Sequence, residues 1–421
     1  MDVRVPVVLK LRALRDGSDL QSGNAIVLAL PRFRRSARDR STTQGQSCGR
    51  NSPSAAAIRR DRTRSPGQRS AAHTRYSEPV MTGHKSFGSD NHAGAHPEVV
   101  EAISAANTGD VGPYGADDWT SRATSELCAA FGAAGAFFVF NGTAANVLGV
   151  SLLLRPFDAV ICAESSHLNV DECGATERNL GNKVLPVATP DGKLTPELIS
   201  ARLTGRGDEH RAQPKVVEIA QVTEVGTCYS LSELQRLGEF CRAEGLYLFM
   251  DGARLANAAA YLGCELADLA AQVDVLSFGG TKNGAVAAEA VILMRDGRLA
   301  DVPFLRKQQM QLGSKMRFMA AQFTALLEDK LWLRSAEHAN SMASRLAAGV
   351  QDVPGVAIRY PVQSNAVFAS LSPDRIAALQ RDWTFYVWDE KESVVRWMTA
   401  FDTTEDDVDQ FLSAIRASAT S

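Results

Sequence analysis

From residue 81 onward, short apolar runs alternate with stretches in which apolar positions recur every three or four residues. The runs include Ala136-Phe137-Phe138-Val139-Phe140, Ala159-Val160-Ile161-Cys162, Lys215-Val216-Val217-Glu218-Ile219-Ala220, Leu246-Tyr247-Leu248-Phe249-Met250 and Val273-Asp274-Val275-Leu276-Ser277-Phe278. Each is short enough for a strand and apolar enough to be covered on both faces, and the spacers have helical period. That alternation predicts a doubly wound, mostly parallel sheet over residues 81–300. Beyond residue 300 the texture is helix-rich. Short strands then follow at 356–359, 366–369 and 394–398, with a last helix from Thr404. Residues 301–421 therefore read as a smaller α+β domain. No internal repeat is visible.

Charge separates the first 80 residues from the rest. They hold 16 Lys+Arg against 6 Asp+Glu, whereas the remaining residues hold 29 against 42. Segments such as Arg32-Phe33-Arg34-Arg35-Ser36-Ala37-Arg38 lack periodicity and cannot bury enough apolar surface to offset chain entropy. A nucleic-acid-binding arm would use such charge, but no aromatics are interleaved to stack on bases. A transit peptide would share the Arg- and Ser-rich composition. The favoured expectation is a disordered or non-native extension, with Met81 as the true first residue and no nucleic-acid partner.

Overall composition is that of a soluble globular protein, 45% hydrophobic and 22% charged. No apolar run approaches the roughly 18 to 20 residues a membrane helix requires, so no membrane partner is expected. The seven cysteines are scattered, odd in number and never spaced C-x-x-C. They fit small buried side chains in a reducing cytoplasm rather than a disulfide framework or a zinc ribbon. His92 and His96 are four apart but lack a companion ligand set, so no metal is expected.

Ligands of open α/β sheets sit beyond the carboxyl ends of the strands, and polar residues follow several of the runs. Asn141-Gly142-Thr143 lies between a strand and a helix, where exposed N–H groups can hold an anion or merely cap the helix. It does not match the P-loop spacing. Asp251-Gly252-Ala253-Arg254 puts a carboxylate at a strand end, where it can keep a pyridine nitrogen protonated or simply start a turn. Lys282 stands in Ser277-Phe278-Gly279-Gly280-Thr281-Lys282-Asn283-Gly284, placed to become a Schiff-base nucleophile if its pKa is lowered, and otherwise a turn lysine. His167, after the run ending at Cys162, could lie over an aromatic ring, transfer protons, or be structural.

The order phosphate turn, histidine, aspartate, lysine resembles the fold-type-I pyridoxal-phosphate (PLP) enzymes. The segments Asp251-Gly252-Ala253-Arg254-Leu255 and Ser277–Gly284 resemble the bacterial low-specificity L-threonine aldolases more narrowly. So do Phe87-Gly88-Ser89-Asp90-Asn91, Tyr114-Gly115-Ala116-Asp117-Asp118, Lys315-Met316-Arg317-Phe318 and the arginine at 396. The resemblance spans roughly residues 81 to 417. It implies a seven-stranded sheet, PLP as cofactor, and retro-aldol cleavage of L-threonine and L-allo-threonine to glycine and acetaldehyde. Lys282 would carry the cofactor, Asp251 would pair with its ring nitrogen, and His167 would stack on the ring. Gly142 and Thr143 would hold the phosphate, with Arg317 reaching in from a neighbouring subunit. Ser89, Arg254 and Arg396 would bind the substrate carboxylate. Tyr114 would reach a neighbour's site in a homotetramer built from dimers.

One turn departs from the family pattern. Thr223-Glu224-Val225-Gly226 stands where many members have a histidine, so Glu224 becomes a candidate base for the β-hydroxyl if burial raises its pKa. As a polar loop residue it would leave the base unassigned. β-Elimination, transamination and a catalytically silent binding protein on the same fold remain open alternatives.

Overall fold

The computed structural model describes residues 83–419. The expectation for residues 1–80 lies outside them. Seven strands form the large sheet: β1 (Gly135–Val139), β2 (Asp158–Ala163), β3 (Lys183–Val187), β4 (Gln213–Ala220), β5 (Tyr247–Gly252), β6 (Val275–Gly279) and β7 (Glu289–Leu293). Their order is β1-β7-β6-β5-β4-β2-β3. β3, β2, β4, β5 and β6 run parallel, and β7 is antiparallel to both β6 and β1. Six of the seven carboxyl ends therefore share one edge. This is the mostly parallel sheet that the apolar runs predict, and a crossover between parallel neighbours needs the helices found between them.

Period-2 alternation sends neighbouring side chains to opposite faces. Leu248, Met250, Leu276 and Phe278 join one apolar cluster, while Phe249 and Val275 join another. Both faces are covered, which is why these strands read as unbroken apolar runs. Gly149, in the helix Gly142–Ser151, lies so close to the sheet that a Cβ there would sit 2.4 Å from the Phe249 ring. That close approach sets the helix start directly beyond β1.

The first cluster also takes in Met316 to Ala336, from the helix Arg317–Leu327 and the start of the helix Leu331–Val350. A further cluster begins at Met342 and includes Phe87. It backs an antiparallel sheet of β8 (Ala357–Ile358), β9 (Ala366–Ser370), β10 (Tyr386–Asp389) and β11 (Val394–Met398), in the order β10-β11-β9-β8. Phe87 is fully buried, stacks 4.5 Å from Phe411, and is bonded through its backbone to Thr384 and Met398. The segment that follows it, Gly88 to His92, is thereby pinned between the two sheets. Among the described residues, no helix is long and apolar enough to cross a membrane.

Candidate active site

The shared carboxyl edge gathers most of the residues singled out in the sequence. Beyond β1, Asn141 caps the helix Gly142–Ser151 by accepting from the Ala144 N–H at 2.8 Å. The first-turn N–H groups of Gly142 and Thr143 have no partner within the helix, as at any helix start, and suit a phosphate. Asp251, at the end of β5, is buried and fixed from both sides. Its Oδ1 accepts from the Ala253 N–H at 2.8 Å and its Oδ2 from Asn146 Nδ2 at 2.7 Å.

The same Asn146 amide donates at 2.9 Å to Glu172, whose Oε1 lies 3.1 Å from Nδ1 of His167. One buried amide thus joins Asp251 to the carboxylate that orients the histidine. The hydrogen bond to Glu172 raises the pKa of His167 against the effect of burial. A raised histidine pKa contributes stability below its unfolded value, and that contribution is lost as pH rises through the folded one. Glu172→Gln should therefore move the His167 titration midpoint downward, measured from its ring-proton NMR shifts. An unchanged midpoint would mean that Glu172 does not set the ring's charge.

Lys282 sits in a single 3-10 turn after β6, Thr281–Asn283, which Asn283 anchors by donating to the Trp332 carbonyl at 2.8 Å. Gly284 closes that turn at φ 96°, a left-handed conformation that favours glycine. Burial, then the charge of Arg254, lower the pKa of the Lys282 amine. Glu289, on β7, acts on the lysine in the opposite sense, and burial pushes its own carboxyl up to about 7.

Two arginines complete the cleft, in different states. Arg254 Nε and Nη2 donate to the two oxygens of Asp90 at 2.7 and 3.0 Å. Burial raises Asp90, but the Arg254 guanidinium outweighs it and holds the carboxyl at about 2. Asn365 adds a hydrogen bond at 3.1 Å. Arg396 has no ion pair among the described residues. Its Nη2 donates to the Gly88 carbonyl at 3.3 Å, and its buried Nε has no acceptor. Burial and Arg254 pull its pKa down to about 10. Ser89 is adjacent and accepts from the Asn91 N–H at 3.2 Å.

Glu224 shares a narrow cleft with Arg254 and Arg396. Its Oε1 accepts from the His167 N–H at 2.8 Å, and its buried Oε2 has no partner. Burial pushes its carboxyl up to about 7. Beneath it Glu218, on β4, accepts from the Ser166 hydroxyl at 2.7 Å, and burial with the Glu224 charge drives it well above the carboxylate range.

Two candidates stand apart. Arg317 donates to the carbonyls of Thr108 and Gly109, and Tyr114 is exposed with its N–H bonded to Ser314. Neither bonds to a residue of this cleft. Asp90, Asn146, Glu172 and Glu218 are residues that sequence reasoning gave no role. The available signals were the one-turn spacing from Gly142 to Asn146 and the Ser89-Asp90 pair in a quoted segment.

The donor set fits an anionic pyridine cofactor: first-turn helix N–H groups, a buried carboxylate bonded to Asn146 one turn along that helix, a histidine tied to the same amide through Glu172, and a half-buried lysine with no ion pair among the described residues. Comparison with known proteins gives the same answer. The beta-eliminating lyase family matches residues 86–372. The low-specificity L-threonine aldolase of Pseudomonas aeruginosa is 44% identical over 342 residues, covering 80% of this chain and 99% of that protein. The chain belongs to the low-specificity L-threonine aldolases of that family.

The solved threonine aldolase of Leishmania major superposes with a TM-score of 0.76 at 33% identity, covering 79% of this chain and 99% of the other. Serine palmitoyltransferase of Sphingomonas wittichii, at 17% identity and a TM-score of 0.62, shares the fold, covering 80% and 87% of the two chains. The protein is therefore a fold-type-I lyase, and PLP is its cofactor.

Proposed function

We propose that this aldolase-family lyase cleaves the Cα–Cβ bond of L-threonine and L-allo-threonine, giving glycine and acetaldehyde. The observation that carries the reading is the Glu224 carboxyl, whose Oε2 is free among the described residues, in the same cleft as Arg254 and an Arg396 without an ion pair among them. A β-hydroxy amino acid brings the two groups that these need, a hydroxyl to deprotonate and a carboxylate to clamp. PLP, held by Lys282, Asp251, His167, Gly142 and Thr143, supplies the electron sink for the pair of electrons left on Cα.

The chain's own residues do the rest. Arg396, helped by Ser89 and the Nη1 side of Arg254, fixes the carboxylate and with it the rotation about Cα. Glu224 takes the hydroxyl proton as the bond breaks, and the Asn146–Glu172 pair keeps His167 and Asp251 in register. Replacement of the hydroxyl proton's bond by the C=O of acetaldehyde frees one proton, and Cα takes one up. The reaction is balanced without a co-reactant.

Tyr114, Phe140 and Met310 are exposed by 52, 45 and 81%, large apolar side chains that a neighbouring subunit would cover. They support a homotetramer of dimers in which Tyr114 and Arg317 serve a neighbour's site. The six cysteines among the described residues are free, which suits the cytoplasm. Residues 81–300 form the PLP-binding domain in this reading, 301–421 the smaller one, and 1–80 take no part.

Purified protein loaded with PLP should release equimolar glycine and acetaldehyde from both threonine diastereomers, and a version starting at Met81 should do so at the same rate. Release of mainly 2-oxobutyrate would replace the aldolase reading by β-elimination. A slower truncated protein would show that the first 80 residues serve the fold.

A further inference from the structure

Arg396 is oriented without being neutralised. It lies at the centre of β11, directly opposite Tyr386 on β10. Its guanidinium carbon stands 5.8 Å from the Tyr386 ring centroid and 5.2 Å from that of Trp388. Each ring is itself fixed. Trp388 packs edge-on against the buried Phe368 at 5.3 Å, and the Tyr386 hydroxyl lies 3.2 Å from Nε2 of His92. His92 Nδ1 is in turn 2.7 Å from the Ser86 hydroxyl. A strand-edge bulge between Val387 and Asp389 places Trp388.

The contrast with Arg254 gives this arrangement its meaning. A carboxylate partner such as Asp90 fixes an arginine but uses the charge that an incoming carboxylate would meet. Ring faces fix a guanidinium through the aromatic quadrupole and leave its N–H edge and net charge available. Arg396 has the buried, acceptor-free Nε expected of a fork awaiting a carboxylate.

We propose that Tyr386 and Trp388 are positioning residues for the substrate carboxylate, holding Arg396 by their ring faces while leaving its charge unpaired. His92, through the Tyr386 hydroxyl, limits how far the Tyr386 ring can swing. This rests on the reading of Arg396 as the carboxylate clamp, and the test separates the two.

The measurements use the PLP-loaded enzyme. They are the KM for L-threonine and the inhibition constant of 1-aminopropan-2-ol, which keeps the amine and hydroxyl but lacks the carboxylate. Trp388→Leu should raise the KM roughly 3- to 30-fold, the span that corresponds to one cation–π contact, and leave the inhibition constant unchanged. Trp388→Phe keeps a weaker face and should fall between, so the outcome does not depend on the leucine variant folding. Tyr386→Leu should behave like Trp388→Leu, and Tyr386→Phe, which keeps the face but loses the His92 contact, should fall between wild type and the leucine variant. In an Arg396→Leu background the ring substitutions should add nothing, as for residues acting through one partner.

The proposal is overturned if Trp388→Leu weakens the amine as much as threonine, or raises KM equally when Arg396 is already absent. If Arg396→Leu alone leaves threonine binding intact, the clamp assignment fails instead.

Discussion

Lys282→Ala should all but abolish threonine cleavage and remove the lysine that borohydride reduction is expected to link to PLP. Lys282 follows β6 on a turn anchored through Asn283 to Trp332, and among the described residues it makes no ion pair. Its lowered pKa leaves more of the amine uncharged at neutral pH, as a nucleophile requires. Turnover should fall to below roughly a ten-thousandth of wild type, since a proton-transfer role alone is worth about 10²–10⁴-fold and the covalent link is lost as well. Cofactor affinity should fall less, because the helix N-terminus and Asp251 are untouched. The fold gives a second expectation. Burial disfavours the lysine's charge, so removing it should not lower the melting temperature of the cofactor-free protein. Peptide mapping of the reduced wild type decides the assignment: a PLP adduct on another lysine would overturn it, whatever the variant's activity.

How much of this could be read from the chain follows from where each contact is made. The strands β2, β4, β5 and β6 announce themselves because both faces are covered and most of their positions are apolar. β3, an edge strand carrying Lys183 and Pro186, and the half-exposed β10 do not. β7 follows an alanine-rich stretch, Ala285 to Ala288, that blurs its start. The residues proposed to meet the cofactor fall just after strands, where a local motif marks them. Their partners do not, because they are set by tertiary contact. Asp90 reaches Arg254 across 164 positions, and Asn146 reaches Asp251 across 105. Tyr386 and Trp388 matter only because β10 pairs with β11. Glu224 is marked by its place in a turn, but its raised pKa follows from burial that only the fold shows.

Glu224→Gln should cut kcat for both threonine diastereomers by about 10²–10⁴-fold, the usual worth of a positioned general base. The amide keeps the shape and can still accept from the His167 N–H, so the loss isolates proton transfer from positioning. The pH dependence makes the assignment specific. Burial raises Glu224 to about 7, so in the wild type the ionised base accumulates, and kcat/KM climbs, as pH rises through that value. The climb should vanish in the glutamine variant, whose residual rate should be flat across this range. Stability runs the other way. A carboxyl whose folded pKa lies above its unfolded value holds its proton more tightly when folded, so its contribution declines as pH rises from about 4.5 to 7 and is constant above. Glu218 and Glu289 are raised as well and keep part of that slope in either protein. Relative to wild type, Glu224→Gln should therefore gain melting temperature at pH 8 compared with pH 5. If the stability difference appears but the kcat/KM profile keeps its rise near pH 7, Glu224 is a buried acid that orients His167, and the base lies elsewhere. If both change together, the carboxyl that titrates is the one that takes the proton.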